Sequence, residues 1–120
     1  MDIKINLNDK EPIYLQIISY VKKELIAENL KPGDVIPSRR ELAEIIKVNP
    51  NTVQRAYKEM ETMGIISTVK NSQSEITLNK ELLRDIKKEY IEESIYSFIE
   101  NMKSINMKKE DIIKLINDTY

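Results

Sequence analysis

Ser38-Arg39-Arg40-Glu41-Leu42-Ala43-Glu44-Ile45-Ile46-Lys47-Val48-Asn49-Pro50-Asn51-Thr52-Val53-Gln54-Arg55-Ala56-Tyr57 contains two helix starts in quick succession. Ser38 and Glu41 have the spacing of a capping box. The serine hydroxyl accepts from the Glu41 N–H, and the Glu41 carboxylate reaches back to the Ser38 N–H. A helix from Arg39 to about Ile46 follows, with Leu42, Ala43 and Ile46 on its inner face. Lys47-Val48 leaves room only for a tight turn. Asn49 is a favoured N-cap, and Pro50 suits the first helical position, where its missing N–H is no loss. The second helix then reaches about Met63, burying Val53, Ala56, Tyr57 and Met60. Gly64 stops it, because glycine adopts left-handed backbone without strain. Two short helices across a tight turn, the second opening on exposed polar residues, form a helix-turn-helix.

The flanks extend that unit. Downstream, Ile65 to Val69 and Ser74 to Leu78 are short β-prone runs around Lys70-Asn71-Ser72-Gln73, a hairpin or wing, with Asn71 the turn residue best suited to positive φ. Upstream, the apolar positions between Ile13 and Leu30 (Ile13, Tyr14, Ile17, Ile18, Val21, Leu25, Ile26) recur at helical spacing behind Pro12. Lys31-Pro32-Gly33-Asp34 reads as a turn and Val35-Ile36 as a very short strand. Ile3 to Leu7 alternates as an edge strand or an extended arm does. Beyond the wing, Leu82, Leu83, Ile86, Tyr90, Ile91, Ile95, Phe98, Ile99 and Met102 mark a helix from Glu81 to about Met102. After a break at Ser104 to Met107, a last helix spans Lys109 to about Asp118. The long stripe is too wide for one small domain to cover, so a second copy of the chain is expected on Leu83, Ile91, Ile95, Phe98, Ile99 and Met102. The expected fold is mainly α (α+β): a winged helix-turn-helix domain over residues 1–78, then a two-helix dimerisation tail over 79–120.

Composition narrows the function. Of the 120 residues 41 % are hydrophobic and 32 % charged, which suits a folded chain rather than a disordered one. There is no cysteine and no histidine, so thiolate metal sites and the commonest general base are both excluded. Gly33 and Gly64 are the only glycines, which leaves no material for a Gly-rich phosphate cradle. No enzyme, cofactor or metal is expected, and nothing marks a small-molecule effector. The absence of a signal-peptide layout or an apolar run of membrane length points to a cytoplasmic protein. Net charge is −1, yet the stretch 36–70 sets Arg39, Arg40, Lys47, Arg55, Lys58 and Lys70 against Glu41, Glu44, Glu59 and Glu61, six against four. A locally basic face suffices to attract a polyanion.

Pro12-Ile13-Tyr14-Leu15-Gln16-Ile17, Lys31-Pro32-Gly33-Asp34-Val35-Ile36-Pro37-Ser38-Arg39-Arg40-Glu41-Leu42-Ala43, Val48 to Tyr57, Glu61 and Gly64-Ile65-Ile66 together resemble the N-terminal domain of GntR-type bacterial regulators, and the YtrA-like branch in particular. The resemblance covers roughly residues 11–70. It implies a double-stranded DNA partner, a short dimerising tail, repression, and a phosphate contact by Arg40. Two departures stand out. The Gly-x-Gly wing tip usual in that family is replaced by Asn71-Ser72-Gln73, with Glu75 in place of an aromatic, and Gln54 stands where many relatives have arginine.

The candidate DNA contacts are Ser38, Arg39 and Arg40 at the first helix start, Asn51, Thr52, Gln54 and Arg55 on the second helix, and Lys70 on the wing. Helix N-termini and arginines bind phosphate. Amide side chains pair with adenine, arginine pairs with guanine, and a threonine methyl packs on thymine. Several have a structural alternative: Ser38 as a cap only, Arg39 and Arg40 as solvated surface, Thr52 as an internal brace, Arg55 paired with Glu59 at i,i+4. Two function classes fit: a sequence-specific regulator, and a winged-helix adaptor that does not bind DNA. Steeply salt-dependent duplex binding distinguishes them.

Overall fold

Both helix starts form as their caps dictate, giving α2 over Arg39–Ile46 and α3 over Pro50–Met63. A computed structural model describes residues 2–69 and 73–120. Around those two helices it sets α1 (Ile13–Ile26), β1 (Val35–Ile36), β2 (Ile66–Val69), β3 (Gln73–Ile76), α4 (Lys80–Ser104) and α5 (Lys109–Thr119). The three strands make one antiparallel sheet in the order β1-β3-β2, with Ile36 opposite Ser74 and Ile66 opposite Ile76. Lys70 and Asn71, the expected wing contact and turn residue, lie outside the described residues.

The chain divides into two compact units, Met1–Lys87 and Lys88–Tyr120. In the first, α1 and α2 both pack on α3, whose Val53, Ala56 and Met60 have no exposed surface. Ile65 and Ile76 close this core from the hairpin side, while Ile46 is only half-buried. Ser74, polar and fully buried, is satisfied by the Thr68 hydroxyl at 3.0 Å. The first turns of α4 go with this unit, because Leu83 and Ile86 pack against its core. In the second unit α4 continues to Ser104, the chain turns through Asn106 at φ +58°, and α5 follows. No residue of α4 or α5 is fully buried. Among the described residues no helix is long and apolar enough to cross a membrane.

One element differs from the periodicity, and the N-terminal segment takes the second of its two expected forms. α1 stops at Ile26, short of Leu30, because Glu28 turns left-handed at φ +63° and the N–H groups of Asn29 and Leu30 both donate to the Glu24 carbonyl. Leu30 is still buried, but by this turn rather than by the helix face. Ile3 to Leu7 forms no strand. It is an extended arm whose Ile3 and Ile5 pack against the core.

Gly64 ends α3 at φ +83°, and a Cβ there would stand 3.3 Å from Leu82 Cδ2. Gly64→Ala is therefore expected to cost about 1–2 kcal/mol. In urea its unfolding midpoint should fall while native far-UV circular dichroism stays unchanged.

Candidate nucleic-acid interface

The start of α2 is built from a complete capping box. The Glu41 N–H donates to Ser38 Oγ at 3.2 Å and the Ser38 N–H donates to Glu41 Oε1 at 3.4 Å. The hydroxyl of Ser38 is thus engaged as a cap. The two arginines beside it separate. Arg39 turns inward: its guanidinium pairs with Glu61 on α3 and lies 5.3 Å from the centre of the Tyr57 ring, and its Nε is buried with no partner among the described residues. In this chain Arg39 thus serves as a brace between α2 and α3. Arg40 points outward, exposed and with no ion-pair partner among the described residues. A second brace comes from Tyr57, whose hydroxyl donates to the Pro37 carbonyl at 2.5 Å. Burial pushes the Tyr57 phenol far above its usual range. Arg39 pulls it partly back and Glu41 raises it, so it remains a neutral donor.

The start of α3 is fixed as firmly. Lys47 makes the turn in left-handed backbone at φ +56°, and Asn49 Oδ1 accepts from the Asn51 N–H at 2.8 Å. Pro50 occupies the first helical position. The helix then presents Asn51, Gln54 and Arg55 exposed and Thr52 half-buried. Arg55 is more constrained than its exposure suggests. Its Nε is 3.6 Å from Glu59 Oε1, and its Cζ sits 3.8 Å from the centre of the Tyr14 ring on α1. A shallow groove lined by Pro12, Ile13, Tyr14, Asn51, Thr52 and Arg55 runs where the two helices begin.

Sequence reasoning assigned Tyr14 to the apolar face of α1 and passed over Gln16. Gln16 is buried, and its amide clamps the chain before α1: Nε2 donates to the carbonyls of Asn8 at 2.9 Å and Glu11 at 2.8 Å, and Oε1 accepts from the Asn8 N–H at 2.9 Å. The available signal was a glutamine interrupting an apolar stripe. On α4, Leu83, expected on the tail stripe, is partly buried and packs against the core of the first unit. Ile91, Ile95, Phe98 and Ile99 are exposed by 46, 53, 39 and 40 %, and Met102 is half-buried.

Residues 13–76 match the family model of bacterial regulatory proteins of the gntR family. The chain belongs to the GntR family. It is a DNA-binding transcription regulator of the winged helix-turn-helix type and not an enzyme. The uncharacterized HTH-type transcriptional regulator YhcF of Bacillus subtilis is 38 % identical over 87 % of this chain and 86 % of its own length. The HTH-type transcriptional repressor YtrA of the same organism is 48 % identical over 64 % of this chain and 59 % of its own length. A GntR family transcriptional regulator from Listeria monocytogenes superposes with a TM-score of 0.88 at 33 % identity, covering 95 % of this chain and all of that one.

The two arginines of the GntR capping box should therefore separate experimentally. Arg39→Ala breaks a partly buried ion pair, so it should lower stability by about 1–2 kcal/mol after allowance for solvent screening. Arg40→Ala should leave stability within about 0.5 kcal/mol but reduce the salt slope of random-duplex binding by about one. Thermal unfolding and salt titration of a labelled duplex read the two effects.

Proposed function

We propose that the protein is a transcription repressor that binds an inverted-repeat operator as a homodimer. In this reading the N-terminus of α2 and Arg40 hold the phosphate backbone, while Asn51, Thr52, Gln54 and Arg55 face base edges in the major groove. Residues 1–78 supply the DNA contacts and the tail after them joins two copies, with Leu83 serving the first unit.

One observation carries the dimer: neither helix of the tail buries a residue in the single chain. Burying one large apolar side chain is worth about 1.5–3 kcal/mol, and a segment this short seldom folds without association. Ile91, Ile95, Phe98 and Ile99 offer that gain to a second copy. One reading helix per chain then gives two per dimer, and a two-fold protein calls for two half-sites about one helical turn apart. Repression is supported by the similarity to YtrA, described as a repressor. A chromosomal operator places the protein in the bacterial cytoplasm.

Footprinting of the upstream region should show two symmetric protected half-sites. In the double variant Ile95→Glu, Phe98→Glu, sedimentation equilibrium should show a monomer. Its operator affinity should fall steeply, with the helix-turn-helix unit still folded by circular dichroism. A monomer protecting one asymmetric site would overturn the dimeric reading, and failure of the native protein to bind duplex DNA in a salt-dependent way would favour a protein-interaction adaptor.

A further inference from the structure

We infer that Tyr14, on α1 and outside the helix-turn-helix, is a positioning residue that sets base specificity by holding Arg55 ready to read guanine. The inference rests on the reading of α3 as the base-reading helix. Arg55 is exposed, and a free arginine on a helix surface samples many rotamers, all but a few of which must be given up on binding a base. Here two neighbours limit them. The Tyr14 ring lies against the guanidinium, with Cζ 3.8 Å from the ring centre, and Glu59 stands 3.6 Å from Nε.

The chemistry of the two contacts leaves the reading edge free. An aromatic ring engages the flat face of a guanidinium, whereas its N–H donors lie in the guanidinium plane. Stacking on Tyr14 therefore uses none of the hydrogen bonds that a guanine O6/N7 pair would take. Glu59 occupies the Nε side, and the terminal nitrogens remain for the bidentate contact. The platform is itself fixed. Tyr14 is half-buried and packs against the core, and it stands in the first turn of the helix two residues before Gln16, whose side chain clamps Asn8 and Glu11 ahead of α1 through three hydrogen bonds. The groove lined by Tyr14, Asn51, Thr52 and Arg55 places this ring beside the residues proposed to face bases. A tyrosine on the first helix is thereby part of the recognition surface without having to touch a base.

The test is repeated selection from a pool of random duplex DNA by the full-length protein and its variants, with thermal unfolding and the salt slope on random duplex measured for each. Native protein and Tyr14→Phe should recover the same half-site, containing one guanine. Tyr14→Leu and Arg55→Ala should both lose preference at that one position by about tenfold, with the remaining positions kept. Arg55→Lys should behave like Arg55→Ala, because lysine keeps the charge but has no planar fork. If Tyr14→Leu melts below the assay temperature, Tyr14→Met replaces it. Three results would each overturn the inference while leaving DNA recognition by α3 intact. In one, Tyr14→Leu keeps the guanine. In another, Tyr14→Phe loses it as Tyr14→Leu does, which would assign the effect to the hydroxyl. In the third, Arg55→Ala recovers the native motif. A pool that yields no motif with the native protein would overturn the α3 reading itself, and this inference with it.

Discussion

The inner face of α3 has to serve two helices and a sheet at once. Val53, Ala56, Tyr57 and Met60 are all but removed from solvent, with α1 and α2 packed on the same helix and β2 following from its end. A small residue at Ala56 leaves room for close helix approach, since any larger side chain at a fully buried site would overpack it. Two polar contacts then fix α2 against this face: Tyr57 to the Pro37 carbonyl, and Arg39 to Glu61. One is a neutral hydrogen bond whose donor burial keeps protonated, the other a partly buried ion pair. Apolar packing alone tolerates sliding between helices, whereas these two contacts have directional requirements. They hold the angle at which α3 leaves the turn, and so the direction in which its polar start is presented.

The tail follows a different physical rule. The first unit has a core of its own, while Lys88–Tyr120 has two helices, apolar side chains on their surfaces and nothing fully buried. Its turn is well specified, with Asn106 left-handed and the Met107 N–H donating to the Met102 carbonyl at 3.0 Å. Glu110 and Asp111 in the first turn of α5 complement the helix dipole. Local signals thus define the hairpin, and in the proposed dimer its stability comes from a second copy. That is the expected division of labour when secondary structure is encoded locally and burial is shared between chains.

Much of this was readable because helix ends are governed by residues a few positions apart. The capping box at Ser38 and Glu41, the Asn49-Pro50 start and the Gly64 stop all act within one turn, and α2 and α3 form with the bounds those residues imply. What escaped reading depends on distance along the chain. The inward turn of Arg39 is decided by Glu61, from the far end of another helix, and nothing near Arg39 signals it. Leu83 continues the helical stripe of the tail, but it sits where α4 still touches the core of the first unit. The helical spacing of α1 runs on to Leu30 because a turn can bury a leucine as well as a helix can. At the start of α3 the polar residues stand out in the sequence, but the tyrosine against Arg55 does not, since an aromatic at helical spacing reads as core.

The exposed start of α3 contains two kinds of residue. Arg55 is tied to Tyr14 and Glu59, while the side chains of Asn51 and Gln54 make no hydrogen bond to any described residue. Substitutions at such untethered surface positions usually change stability by less than about 0.5 kcal/mol. The two positions can therefore vary without endangering the fold, and a duplicated copy of the gene can drift to a new target through single steps, each of which leaves a folded protein. Arg55 has no such freedom: altering it strands a ring and a carboxylate that were arranged for it. Under the proposed role of α3, evolution of specificity in this chain is thus expected to proceed through Asn51 and Gln54 first, with the arginine as the fixed point around which target sites diversify.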